Sequence, residues 1–402
     1  DSFVESRRQK TSEKDRKTVQ AILNDVRKNG DSAVKKYERK FNGRKTSQLR
    51  ISAKEIKEAR SKISSEEVTA LQTMSARLSN SSPKIQIRGY GKFVAIPSVG
   101  CYIPGGQARY PSSVVMSVIP AKIAGVKRIV VVSPPGRDGK IDPLTIVAAK
   151  KCGATEIYKI GGAQAIGALA YGTKSISKVD KIVGPGGKFV SIAKSLVSDQ
   201  TAIDMVAGPT ELGIIANASS DPELIALDLI SQAEHSKDTM CFVITQSKTI
   251  AKQIQKSIEK LIPGTERSSI IKESISKNGF IAICKNEYEV IELANKIAPE
   301  HMELMVGNAK TLSKKITGAG LLLIGKNTPS SASDYLLGTN HILPTNGFGR
   351  TRGGLSVLDF LKLQTVIESK KSGLRKISKS LKVLTDAEGL PNHYKAVKRR
   401  LD

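Results

Sequence analysis

Apolar positions along this chain change their spacing twice. Between residues about 15 and 80 they recur at helical intervals. "VQAILNDVRKNG" and "DSAVKKYERKFNG" each carry an apolar stripe and end on glycine, which predicts helices with glycine stops. "KIQIRGYGKFVAIPSVGCYIPGG" then reads as short strands broken by Gly and Pro. From about 112 to 216 strand and helix alternate. "SSVVMSVIPAKIAG" predicts a helix, "RIVVVSPP" a buried strand, "DPLTIVAAKKCG" a helix and "EIYKI" a strand. "GGAQAIGALAYG" and "PGGKFVSIAKSLVS" predict helices on either side of the strand "DKIVG". Such alternation predicts a parallel sheet covered by helices on both faces.

A second alternating segment runs from about 211 to 325. It offers strand "ELGIIAN", helix "DPELIALDLISQAEH", strand "MCFVIT", further helices and strand "GLLLIG". Two α/β domains of similar build follow. The stretch from about 355 is polar and helical with little core of its own, so it is expected to dock elsewhere, including on another subunit.

Composition narrows the picture. A chain of 402 residues with 39% hydrophobic residues is long enough for a large core. Lys and Arg exceed Asp and Glu by 64 − 37 = 27, which raises the question of nucleic acid. The basic residues are spread along the chain and interleaved with acids, as in "SAKEIKEARSKISSEE", and there is no Trp. A solvated lysine-rich surface is the reading, with no nucleic-acid partner. Cys101, Cys152, Cys241 and Cys284 are far apart and form no CxxC pair, which argues against a disulfide framework or a zinc–thiolate site. The first residues, "DSFVESRRQKTSEKDRK", are polar rather than signal-like, and no apolar run reaches the length of a membrane span. A cytoplasmic location is expected.

Chemistry gathers in glycine turns and histidines. "YIPGG", "KIGGAQAIG" and "VGPGGKFV" could each present backbone N–H groups to a phosphate. Tight strand-to-helix packing explains any one of them equally well. Only four histidines are present. His235 follows Gln232 by three residues, His301 stands beside Glu300 in "APEHMEL", His341 follows Asp334 by seven, and His393 follows Glu388 by five. None lies in an apolar stripe. Gln, His and Asp side chains suit zinc or a similar ion, so a metal or acid–base cluster is expected.

Eight motifs in order carry a resemblance along nearly the whole chain: "SVGCYIPGG", "GGAQAIGALAYGT", "VDKIVGPGG", "DMVAGPTE", "DLISQAEH", "APEHMEL", "SDYLLGTNHILPT" and "AEGLPNH". Together they resemble the histidinol dehydrogenases. The resemblance implies four-electron, zinc-dependent oxidation of L-histidinol to L-histidine through L-histidinal with two NAD. It implies one zinc per subunit on Gln232, His235, Asp334 and His393. Glu300 would activate water and His301 would be the general base. Tyr102, Gln164 and Gly187 match NAD contacts, with Gly187 standing where the family usually has Asn. Thr210, Gln232, His235, His301, Asp334, Glu388 and His393 match substrate contacts, with Thr210 in place of the usual Ser. An intertwined homodimer would donate His393 and Glu388 across subunits.

The expected fold is α/β, with two similar doubly wound, incomplete Rossmann-like domains and helical extensions at both ends. Residues 1–18 would be the N-terminal extension. Residues 19–100 and 211–353 would form a discontinuous domain carrying the metal and catalytic residues. Residues 101–210 would form the NAD domain, and 354–402 the C-terminal extension. Three other readings remain in competition: a related zinc- and NAD-dependent dehydrogenase of another amino alcohol or a sulfonate, a nucleic-acid-binding protein, and an aldehyde-type enzyme using Cys101 as nucleophile.

Overall fold

The computed structural model describes residues 2–8, 12–43, 48–82, 91–105 and 109–402. Gly106 of "YIPGG" and the opening of "KIQIRGYG" lie outside the described residues. Two compact units are present. The first comprises Asp1–Pro83 and Ala95–Leu361, and the second Lys84–Val94 and Lys362–Asp402.

The first unit opens with helices α1 (Ser2–Arg7), α2 (Glu13–Asn42), α3 (Ala53–Ser61) and α4 (Ser65–Ser81). Ser52 and Ser64 begin α3 and α4 with capping boxes closed by Glu55 and Glu67. Gly30, with φ of 52°, kinks α2 between the two expected helices. Strand β1 (Gly91–Ala95) comes next in the chain.

The first parallel sheet is built from β2 (Ser98–Tyr102), α5 (Pro111–Ala124), β3 (Arg128–Ser133), α6 (Pro143–Cys152), β4 (Glu156–Lys159), α7 (Gly162–Tyr171), β5 (Lys181–Val183), α8 (Lys188–Val197) and β6 (Ala202–Ile203). Its order is β4-β3-β2-β5-β6, with every pairing parallel. The chain order reverses between β2 and β5, the place where doubly wound sheets leave a crevice at their carboxyl ends.

The second sheet is built from β7 (Glu211–Ala216), α9 (Pro222–Ala233), β8 (Met240–Thr245), α10 (Lys248–Leu261), α11 (Ser268–Asn278), β9 (Phe280–Ile283), α12 (Glu287–Ile297), β10 (His301–Met305), α13 (Ala309–Leu312), β11 (Leu321–Ile324) and α14 (Ser330–Ser333). Its order is β11-β10-β7-β8-β9, again parallel throughout. The expectation of two similar doubly wound halves matches this topology. No helix among the described residues is long and apolar enough to cross a membrane.

Packing redraws the domain boundaries. Val19, Ile22, Leu23 and Val26 of α2 share a core with Ile166 and Leu169 of α7, and Ile63, Val68 and Leu71 join the core around α5 and α6. The helical region therefore covers the first sheet, where the sequence reading had grouped residues 19–100 with 211–353. An apolar stripe shows that a helix is covered without showing by what. The expected boundary at 18 falls inside α2, and that at 101 inside β2. Helix α1 instead packs on the second sheet, with Val4 in its core and the Phe3 ring 5.6 Å from that of Phe280. Phe360 is buried in the main core, so residues 354–361 do not belong to the C-terminal unit.

In the second unit β1 pairs with β12 (Leu361–Thr365), and helices α15 (Lys371–Ala387) and α16 (Pro391–Lys398) pack together. Thr385 is the single buried residue of α15.

Candidate active site

Glu300 and His301 stand where β10 begins, at the amino edge of the second sheet. Register sets their surroundings. His301 lies opposite Leu212, so Glu300 falls beside Glu211, whose backbone N–H donates to Glu300 Oε2 at 3.1 Å. Glu300 and His301 are only 6% and 2% exposed. Burial pushes the Glu300 carboxyl up to about 8, against the pull of His301 and the Glu211 N–H. For His301 burial opposes the charged ring, but Glu300 and Asp334 outweigh it and push the ring up to about 9.

Asp334 caps α14 and comes to the same place from another direction. Its Oδ1 is 3.3 Å from His301 Nε2, an ionic approach rather than an aligned hydrogen bond. Its Oδ2 accepts from Gln232 Nε2 at 3.2 Å. Its backbone oxygen is 2.8 Å from His341 Nδ1, and His341 Nε2 is 3.2 Å from Ser113 Oγ on α5. His341 thereby braces the loop carrying Asp334.

Gln232 is buried in the last turn of α9. His235 lies beyond the end of that helix rather than on its face; its N–H bonds to the Gln232 carbonyl at 3.1 Å, and its side chain is exposed. Gln232 Oε1, Asp334 Oδ1 and both ring nitrogens of His301 are buried without a hydrogen-bond partner. Native interiors rarely leave such atoms unpaired. An amide oxygen beside a carboxylate oxygen is a donor set that a divalent cation satisfies. No three His, Cys, Asp or Glu side chains among the described residues converge into a metal-sized group. The amide of Gln232 falls outside that class, and His393 belongs to the second unit. There Glu388 caps α15 and His393 lies in α16, both exposed. Thr210 precedes β7, half-buried, and its carbonyl accepts the Met240 N–H at 2.9 Å.

The expected cofactor residues cluster at the carboxyl edge of the first sheet. Tyr102 ends β2; its hydroxyl, pushed up to about 12 by burial, accepts the Gly162 N–H at 3.1 Å. Gln164 is buried in α7 and donates to Glu38 Oε1 at 2.8 Å, which leaves its own Oε1 without a partner. Glu38 also accepts the Gly161 N–H at 2.9 Å, so a carboxylate from α2 shapes the glycine turn. Sequence reasoning missed Glu38, because within "KKYERK" it reads as one more surface charge.

The "VGPGG" turn is anchored from below. Lys194 donates to the Gly184 carbonyl at 2.9 Å and is ion-paired with Asp204, which accepts the Gly184 N–H at 2.8 Å. Gly184 has φ of 108°, and a Cβ there would meet the Tyr102 carbonyl at 2.2 Å, so only glycine fits. Gly187 is different: φ is −65° and a Cβ would meet nothing within 4 Å.

Cys101 is fully buried in β2, and burial raises its thiol far above the ordinary range. That is a core residue and not an accessible nucleophile. Sequence reasoning also assigned no role to Glu211, Asp228 or Glu303. Their sole early signal was position within or near the quoted motifs.

Known proteins resemble this chain in sequence and in fold. A family model described as histidinol dehydrogenase matches residues 5–401. The histidinol dehydrogenase of Methanococcus maripaludis is 44% identical over 399 residues, covering 96% of this chain and 93% of its own. Histidinol dehydrogenase 1 of a Nostoc species is 42% identical over 411 residues, covering 100% of this chain and 95% of its own. A crystal structure of histidinol dehydrogenase from Elizabethkingia anophelis matches with a TM-score of 0.92 at 34% identity, covering 98% of this chain and 93% of that one. With agreement in motif order, in fold and along the whole length, the chain belongs to the histidinol dehydrogenase family, the oxidoreductases of the final steps of histidine biosynthesis.

Proposed function

We propose that this enzyme oxidises L-histidinol to L-histidine through L-histidinal, with zinc and two NAD. The observation that carries the reading is the cluster of unpartnered buried atoms on Gln232, His301 and Asp334 beside Glu300. Gln232, His235, Asp334 and the His393 of a second copy would hold the ion, and Tyr102, Gln164 and the backbone at Gly187 would meet NAD. When bound, zinc supplies a Lewis acid for the nitrogens of histidinol, and NAD supplies the hydride acceptor.

The chain's own residues handle protons. His301 takes the hydroxyl proton as the adjacent carbon gives up hydride, leaving the aldehyde. Glu300 takes a proton from water as its oxygen adds to the aldehyde carbon. His301 then takes a hydroxyl proton of that hydrate while the second hydride departs, leaving the carboxylate. One alcohol, one water and two NAD give one carboxylate, two NADH and three protons. With Glu300 held at about 8 and His301 at about 9, both serve as bases in their deprotonated fraction, so turnover should rise as pH climbs through that range. Thr210, Glu388 and His393 complete the substrate contacts in this reading.

Counting NADH formed per histidinol consumed tests it. Two are expected, with activity lost on chelation and restored by zinc. One NADH with free aldehyde accumulating, or full activity in metal-free protein, would refute it.

A further inference from the structure

We propose that Glu303 and Asp228 form a brace that sets the spacing of the metal-binding side chains, with Glu303 as a positioning residue. The proposal rests on the reading of Gln232, His235 and Asp334 as zinc ligands.

Glu303 follows His301 by two residues in β10, so both project from one face of the strand. It is 1% exposed. Its Oε1 accepts the Ser330 N–H at 2.7 Å. Ser330 is the first residue of α14, and its carbonyl accepts the N–H of Asp334 at 3.0 Å. On its other side Glu303 lies within proton-sharing reach of Asp228, and its Oε2 has no other partner. Asp228 lies four residues before Gln232 on α9, one turn away on the same face. A single side chain is thus tied to all three segments that deliver His301, Gln232 and Asp334.

A buried carboxyl beside a half-buried one does not ionise together with it, so one proton is held between Glu303 and Asp228. Burial and Asp228 together push Glu303 up to about 8. A carboxyl sharing a proton donates to one neighbour and accepts from another. That is what a strut between a helix residue and a backbone N–H requires. Simple packing would need neither group.

Zinc affinity measured by chelator competition tests the brace, with circular dichroism to verify folding. Glu303→Leu removes both bonds and should weaken zinc by about 10–100-fold, the usual effect of losing a residue that orients ligands. Glu303→Gln can still accept from Ser330 and donate to Asp228, so it should bind within about threefold of the parent. Should Glu303→Leu not fold, Ser330→Pro removes the N–H donor together with the Ser330 hydroxyl and leaves Glu303 in place. Pro329 already has the extended ψ of 150° that a following proline prefers, and Ser330 is a first-turn position. Ser330→Pro should cost about tenfold. Folded Glu303→Leu or Ser330→Pro protein with the parent's affinity would overturn the brace. So would Glu303→Gln failing as badly as Glu303→Leu, since the carboxylate would then act directly. A parent enzyme that binds no zinc would sink the metal reading itself, and the brace with it.

Discussion

Replacing His301 and replacing Glu300 should break different steps. His301→Asn removes the base that both hydride transfers use, so oxidation of histidinol and of histidinal should fall together, by about 10²–10⁴-fold. Glu300→Gln keeps that base and weakens only water addition. Oxidation of histidinol should then survive better than oxidation of the aldehyde, and a carbonyl-trapping reagent should capture histidinal. Equal slowing of both steps with nothing trapped would mean that Glu300 only orients His301. Their placement makes the division physical. Glu300 is fixed by the Glu211 N–H at 3.1 Å, whereas His301 faces Asp334 at 3.3 Å. Besides their mutual contact at 3.8 Å, each side chain has a support of its own, so losing one leaves the other partly held.

At the scale of elements, the turns that end β2 and β5 are the ones the proposed function assigns to the dinucleotide. Gly184 is locked by its backbone angle and by the Tyr102 carbonyl, while Gly187 sits at an ordinary φ of −65° facing open space. The resemblance to the family implies an Asn at the latter position. Gly187→Asn should therefore fold normally and add a side-chain hydrogen bond to NAD. Steady-state kinetics should show KM for NAD falling several-fold, the yield of about 1 kcal/mol from one added hydrogen bond, with kcat little changed. An unchanged or higher KM would show that α8 meets the cofactor through its backbone alone. Asn is also a better helix N-cap than most residues, so the substitution carries no stability penalty of its own.

The whole molecule raises the question of what covers its C-terminal unit. Ile367, Val383 and Leu384 are 74%, 62% and 59% exposed, and α15 buries little of itself. Apolar positions left in water on an amphipathic helix call for a covering surface. In the proposed reading, a second copy of the chain receiving His393 and Glu388 into its site would satisfy that need. Mixing inactive His393→Asn and His301→Asn chains should then restore activity, because each hybrid dimer holds one site with both defects and one with neither. Random exchange predicts recovery of about a quarter of the parental activity. No recovery after verified exchange would show that each chain completes its own site.

Much of this was legible in the linear pattern. Strands such as "RIVVVS" and "MCFVIT" are continuous apolar runs, because a parallel sheet is covered on both faces. Glycine and proline marked the turns between them, and the motif order pointed to the family. The strand "HMELM" escaped that reading. It is buried throughout, yet His301 and Glu303 interrupt its apolar run, since chemistry rather than packing selects them. What only the tertiary structure decided was who meets whom. The apolar stripe of α2 is plain in the sequence, but its partner sheet is not, because burial has no address. Register alone put Glu211 beside Glu300, and three separated segments had to converge before Glu303 could be tied to Ser330 and Asp228. Local periodicity encodes how each segment hides its apolar side. Contacts between distant polar groups depend on where the folded sheets carry them, and no spacing along the chain records that.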